Sequence, residues 1–350
     1  MTKRWKQRPP GSTWGDWGED DELGRINLLT QEKILQGVRE IEHGRAFSLS
    51  LPLDYPGGSA LNQRRYPPIV RPTEDLQHNQ DTFYNVIARE SIDPSFIDVW
   101  SDDVVTLWLQ YSTQWDGLAH QGAEFDADAD GVAEPLYYNG FRAGTDIVGP
   151  GEDVRGDGSG SVSCARHLGL EHMAAHGVQG RGVLVDLAHH LGTEWQPVTL
   201  KTLREIMAAD KVTVEPGDML LLHTGFAEQI LAWGRNPDPV KIHTTASYLD
   251  AHDPALLDWI SESQISALIA DNYAVEGVGV GGANIAEPHT LLPIHHLCLF
   301  KLGVPLGELW YLTELAAWLR EHERSRFLLT APPLRLPGVQ GSPLTPVATV

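Results

Sequence analysis

Three short apolar runs, at 182–187, 219–224 and 267–270, constrain this chain of 350 residues more than any other feature. Each has the length of a strand and is largely apolar, the pattern of a strand buried on both faces. Helical stretches stand around them. Residues 168–176 carry a helical pattern stopped at Gly177, 200–209 follow Thr199 as an N-cap, and 255–261 repeat the pattern. A helix at 291–302 entered through Pro293, a strand at 306–312, a helix at 315–322 and a closing strand at 327–331 continue the rhythm. A short strand at 212–214 precedes the turn at Pro216-Gly217. The alternation predicts an α/β fold.

The first half is less regular. Residues 1–13 read as a loose tail, and the acidic, Trp-containing segment 14–29 reads as an ordered loop. Thr30 caps a helix expected over about 31–42, ended by Gly44, with a strand at 47–51. Residues 52–80, rich in Pro, Gly and Arg, read as a long pocket loop, followed by strands near 83–88 and 104–111. Residues 121–160 are Gly- and Asp-rich. Asp126, Asp128 and Asp130 alternate like a calcium loop with Gly131 at its sixth position, but Tyr137 stands where the twelfth-position Glu is required. An exposed acidic loop is the better reading. No internal repeat or low-complexity linker appears, so 1–350 reads as one domain.

Charge and composition exclude several functions. A formal net charge of −21 disfavours nucleic acid and anionic membrane surfaces as partners. No apolar run reaches the roughly 18 residues of a membrane span. Two cysteines, Cys164 and Cys298, make neither a disulfide framework nor a zinc-finger spacing, and a cytoplasmic enzyme is expected.

The stretch that carries chemistry is Gln110-Tyr-Ser-Thr-Gln-Trp-Asp-Gly-Leu-Ala-His120. In a strand, Gln110, Ser112, Gln114 and Asp116 share one face, and Gly117 lets His120 fold back toward them. An amide, a carboxylate and an imidazole aimed at one point make a hard-metal or acid/base site. On spacing alone, a polar strand end wetted by solvent fits equally well.

The stretch is similar to the metal-binding signature of the cyclase family, His-x-Gly-Thr-His-x-Asp-x-x-x-His, which bacterial kynurenine formamidase and isatin hydrolase share. The family also pairs a His with a Glu twelve residues later, and His296 and Glu308 stand at that spacing. Further segments look alike: 181–186, 217–225, Asp271-Asn-Tyr-Ala-Val-Glu276, 333–338 and Gly341-Ser-Pro343. The opening Trp17-Gly-Glu-Asp-Asp-Glu-Leu-Gly24 resembles the family's longer members. The resemblance implies the swivelling β/β/α fold, with a mixed sheet core, surrounding helices and long pocket loops. It also implies metal-dependent opening of an amide, lactam or related C–N bond in a small molecule, and a homodimer or homotetramer.

Gln110 and Gln114 depart from that pattern, standing where two His ligands are expected. An amide oxygen is a harder, weaker donor than imidazole, so one metal site is weakened. The remaining set is Asp116, His120, His296 and Glu308, with Gln114 as an additional ligand. It points to one divalent ion, manganese ahead of zinc or magnesium. His295 competes with His296 but lies thirteen residues before Glu308. By resemblance His120 is the acid/base, and Glu308 holds the metal or shares the proton. Trp115, Phe226, Tyr273 and Trp17 are candidate substrate contacts, and Trp14 with Trp17 is expected to close the pocket, of this chain or of a neighbouring subunit. The same site would serve a lactone, ester or carbamate hydrolase or a ring-closing enzyme. A non-catalytic binding protein is the reading the two Gln substitutions favour. Gly277, Gly279 and Gly282 fit a dinucleotide-loop spacing without its strand–helix context, and a mobile substrate loop is expected there.

Overall fold

The computed structural model describes residues 4–75, 80–151, 162–278 and 289–350. Its centre is a nine-stranded mixed sheet. In chain order its strands are β1 (Ala46–Ser48), β2 (Gln114–Asp116), β3 (Gln179–Asp186), β4 (Met219–His223) and β5 (Ala267–Ala270). The last four are β6 (Leu306–Glu308), β7 (Arg326–Thr330), β8 (Gly341–Pro343) and β9 (Val347–Thr349). They lie side by side as β1-β9-β7-β3-β4-β5-β6-β2-β8.

The three apolar runs form the parallel middle of this sheet. Gly182 pairs with Met219, Met219 with Ala267, and Leu268 with Leu306. Alternate residues face opposite layers. Leu220, Leu222, Leu268 and Leu306 enter one core with Leu203, Ile206, Leu256 and Ile294. Those partners come from the helices Leu200–Ala209, Pro254–Glu262 and Pro293–His295. Leu184, Leu221 and Ile269 enter a second core with Leu170, Leu315 and Leu319, carried by the helices Leu170–His176 and Thr313–Glu321. The helix starts follow local chemistry. Thr30 Oγ1 accepts from Lys33 N and Thr199 Oγ1 from Thr202 N, while Gly177 ends its helix at φ +80°.

Four parallel strands running one way put their carboxyl ends along one edge. That edge carries Asp186, His223, Asp271 just past β5, and Glu308. Such an edge is where open α/β sheets bind ligands. The short antiparallel β2 joins it: Leu306 faces Asp116, and Glu308 faces Gln114. On its other side β2 pairs with β8, Gly341 opposite Asp116.

Several expectations need correction. Residues 4–13 are packed rather than loose. Trp5 is buried edge-on against Trp14, and the backbone N–H groups of Lys6 and Gln7 donate to Ala127 O. Residues 1–3 lie outside the described residues. The long loop at 52–80 contains a strand, Ile69–Asp75, paired with Gln80–Phe83 and Asp103–Thr106. The last strand is not at 327–331, because β8 and β9 follow it. Residues 309–312 leave β6: Leu309 takes φ +57° and begins a turn. Residues 212–214 form no strand. No helix among the described residues is long and apolar enough to cross a membrane.

Trp115 faces the second core and not the pocket. It is fully buried, its ring meets Trp310 edge-on at 5.1 Å between centroids, and its indole N–H donates to Ala331 O at 2.8 Å. Strand alternation requires this: with Gln114 and Asp116 on one face, Trp115 is on the other. Trp115→Ala is therefore expected to cost about 3–5 kcal/mol of folding stability, through the cavity it leaves. Urea unfolding measures this, and a loss below about 1 kcal/mol would contradict the packing.

Candidate metal centre

Two strands and one helix start build the centre. On β2, Gln114 and Asp116 share a face, and antiparallel pairing sets Glu308 of β6 directly opposite Gln114. His295 enters from the end of Pro293–His295. Ligand atoms of Asp116, His295 and Glu308 lie within 4.8 Å of one another, and all three residues are buried. The Gln114 amide N–H donates to Asp116 at 3.3 Å and to Glu308 Oε2 at 3.2 Å. Its Oε1 is buried with no partner among the described residues.

His120 completes the rim. Its Nε2 lies 3.6 Å from Asp116 Oδ2, and its Nδ1 lies 3.0 Å from the Gln110 amide nitrogen. Gln110 thus orients the imidazole. Its own backbone carbonyl accepts from Arg65 Nη1 at 2.6 Å. The 52–65 loop is also anchored here, as the Tyr111 hydroxyl accepts from Gly57 N and donates to Gly58 O.

The histidine beside Glu308 is His295 and not His296. His295 Nε2 is 3.3 Å from Glu308 Oε1, whereas the His296 ring packs on Phe300 at 5.1 Å between centroids. The physical reason is the turn that follows. Residues His296–Leu302 form a π-helical turn, which holds one residue more than an α-turn. The spacing from ligand to Glu308 becomes thirteen. Burial, then Lys301, pushes the His296 imidazole down to about 4, which leaves it neutral.

Glu276, which the sequence offers only as part of a similar segment, has a definite role in the geometry. Its Oε1 accepts from His295 Nδ1 and from His295 N, both at 2.8 Å, and its Oε2 accepts from Ile294 N at 3.0 Å. It fixes the imidazole with Nε2 aimed at Glu308 and Asp116, the carboxylate–histidine support typical of metal sites. The backbone here is strained to fit. Ala274, Val275 and Leu309 all have positive φ, at +69°, +59° and +57°. Leu309 is held by N–H donation to Asn272 O and by the Thr113 hydroxyl on its carbonyl.

The electrostatics call for a cation. Burial pushes Asp116 up, opposed by His120 and reinforced by the like charge of Glu308. Burial would also raise Glu308, but the His295 hydrogen bond and charge outweigh it and hold it below the usual range. Burial would lower His295, yet hydrogen bonds to Glu276 and Glu308 push it up to about 10. Three buried carboxylates around one imidazole carry excess negative charge, and the orphaned Gln114 oxygen adds a neutral hard donor. The set fits an oxygen-preferring divalent ion. Loss of the Glu276 support predicts a ten- to hundredfold weaker metal affinity for Glu276→Gln. Calorimetric titration with Mn2+ checks it, and unchanged affinity would remove Glu276 from the centre.

The remaining sequence candidates are Phe226, Tyr273, Trp17 and Trp14. Phe226 is buried in a side cluster with Leu51, Ile242 and Leu309, behind Tyr273. Tyr273 is half-buried, and burial, then the Glu308 charge, pushes its hydroxyl up to about 12. That hydroxyl lies 2.7 Å from His243 Nδ1. Trp17 is half-buried in the Gly15–Gly18 turn, and Trp14 is core, donating to Phe300 O at 2.7 Å. Asp126, Asp128 and Asp130 do converge, but Asp126 is occupied by the N–H groups of Asp130 and Gly131. Gly279 and Gly282 lie outside the described residues.

Fold and centre together define a class: a mixed α/β protein with a buried carboxylate–imidazole cluster at the carboxyl edge of its parallel strands. A family model named Cyclase matches residues 47–277. The crystal structure of a novel cyclase is 31% identical, covers 98% of this chain and 100% of its own, and superposes with a TM-score of 0.72. This chain belongs to the cyclase family. Isatin hydrolase A from Labrenzia aggregata, bound to benzyl benzoate, is 13% identical over 87% of this chain and 93% of its own, with a TM-score of 0.53. An isatin hydrolase bound to the product analogue thioisatinate is 12% identical over 92% and 99%, also at 0.53. Both share the fold. A search of curated protein sequences gave no match.

Proposed function

We propose that this chain is a metal-dependent hydrolase that opens an amide, lactam or related C–N bond of a small molecule. The observation that carries the reading is the buried convergence of Asp116, His295 and Glu308, with His120 at the rim. A divalent ion there, Mn2+ ahead of Zn2+ or Mg2+, supplies Lewis acidity toward a carbonyl and makes a water more acidic. Asp116, Glu308 and His295 would hold it, with Gln114 as a fourth donor. His120, the most exposed of these groups, takes the proton from the attacking water and delivers it to the leaving nitrogen. Gln110 keeps the imidazole turned to that task. The related isatin hydrolases support a cyclic amide as the first substrate to try.

Elemental analysis, chelation and refilling with Mn2+ or Zn2+, with isatin, N-formyl-kynurenine and simple lactones as substrates, test the reading. One bound ion per chain, loss of activity on chelation and preference for the C–N bonds are expected. Undiminished turnover by metal-free protein would overturn it, and faster lactone opening would move the activity to C–O bonds.

A further inference from the structure

Arg65 is half-buried on the 52–65 loop, and among the described residues its guanidinium makes one hydrogen bond, from Nη1 to Gln110 O. It pairs with no carboxylate there. A guanidinium has five N–H donors, so most of this fork meets no protein acceptor. Deeper cations of the chain are spent. Arg181 holds Asp218 by two bonds, at 2.9 and 3.0 Å, and Lys33 reaches the same acid at 3.0 Å. A partly desolvated cation left unpaired is a cost, in a chain whose net charge of −21 offers acids in plenty. Gln110 places this cation at the centre. Its backbone carbonyl takes Arg65, and its side-chain nitrogen lies 3.0 Å from His120 Nδ1. Arg65, Gln110, Ser59, Asn62 and Tyr111 line one recess of about 10 Å3, room for roughly one water. After burial and the histidines, the Arg65 charge bears on both Asp116 and Glu308, yet it pairs with neither.

We propose that Arg65 is a specificity residue of this centre, the anchor for a carboxylate that the substrate carries away from the bond being opened. The proposal rests on the hydrolase reading above and narrows its substrate class to small amides or lactams bearing a carboxylate. The planar fork matches two carboxylate oxygens in charge and in geometry. One guanidinium balances one carboxylate, whereas the second charge of a phosphate would face Asp116 and Glu308. The recess takes a carboxylate oxygen and not the body of a substrate, so the amide is left toward His120 and the metal ligands. A neutral ring leaves the fork unused.

Calorimetric titration of the Mn2+-loaded full chain with pyroglutamate, a lactam bearing a carboxylate, and with pyrrolidinone, the same ring without it, tests this. Wild type is expected to bind pyroglutamate about ten- to a hundredfold more tightly, the size of a charge-assisted pair. Arg65→Gln keeps an N–H donor for the Gln110 carbonyl and should bring the two ligands within about threefold, by weakening pyroglutamate alone. Arg65→Lys, which keeps the charge without the fork, should recover part of the preference. If Arg65→Gln misfolds, the wild type decides: pyroglutamate and not pyrrolidinone should shield Arg65 from phenylglyoxal, read by peptide mass spectrometry. A wild type with no preference would overturn the proposal. So would a preference that survives in folded Arg65→Gln, which would put the carboxylate on the metal, or equal modification of Arg65 with either ligand. Because the readout is binding, an Arg65-dependent preference in a protein that opens no amide would support the anchor while overturning the hydrolase reading.

Discussion

His295→Ala is expected to weaken divalent-metal binding by about a thousandfold or more, equivalent to about 4 kcal/mol, and to remove activity with it. His296→Ala is expected to leave both within about threefold. The contrast rests on one turn of helix. His295 is buried, with Nε2 3.3 Å from Glu308 and Nδ1 tied to Glu276 at 2.8 Å. His296 makes its ring contact with Phe300 and lies beside Lys301, a cation that would repel a metal ion. Losing a ligand whose orientation is already fixed removes both a donor and the compensation of two buried carboxylates. Calorimetric titration of each variant with Mn2+ separates them. The reverse pattern would mean that the helix sits one residue out of the frame described.

The sequence points to His296 because of its spacing from Glu308. The spacing of twelve assumes an ordinary helical turn between ligand and strand. A π-turn adds a residue without changing the residue types, and apolar periodicity over Leu297-Cys-Leu-Phe300 does not distinguish the two. The two acidic ligands were easier. Asp116 stands in a recognisable motif, and Glu308 closes an apolar strand with a charge, a conspicuous cost in a buried place. Glu276 had a weaker signal. It is an acidic residue in the loop after β5, and nothing local shows that it reaches His295 nineteen positions on.

The fold was legible where local and global signals agreed. The runs at 219–224 and 267–270 are strands because they are apolar on both faces, and the helices follow their Thr caps. Local pattern and structure part where tertiary contacts decide. Gly341–Pro343 and Val347–Thr349 lack any strand pattern of their own and become strands by pairing with β2 and β7. The basic N-terminus looks like a tail until Trp5 is seen against Trp14. The strand Ile69–Asp75 is not legible in the sequence, because Pro72 and the surrounding polar residues mask a strand that keeps little core contact.

Asp116→Asn is expected to lower kcat/KM by about a thousandfold or more, roughly 4 kcal/mol in transition-state stabilisation, while making the metal-free protein more stable. The two effects have one origin. Asp116 is buried and has its carboxyl pushed up, chiefly by burial and further by Glu308. A carboxyl raised on folding penalises the folded state wherever it is ionised, and the penalty disappears as pH falls and it protonates. The gain from Asn is therefore present at neutral pH and fades toward the ordinary carboxylate value near 3.8. Asn retains an oxygen for the Gln114 N–H, so the substitution removes charge without opening a cavity. On the order of 1 kcal/mol is expected, a rise of about 1–2 °C in Tm for the metal-free protein. Saturating Mn2+ should reverse the ranking, because only the wild type gains binding energy, about 2.7 kcal/mol at a hundred times Kd. Thermal unfolding with and without metal at neutral and acid pH checks the whole pattern. A metal-free variant less stable than wild type at neutral pH would show that Asp116 is held by its histidine neighbours and not waiting for a cation.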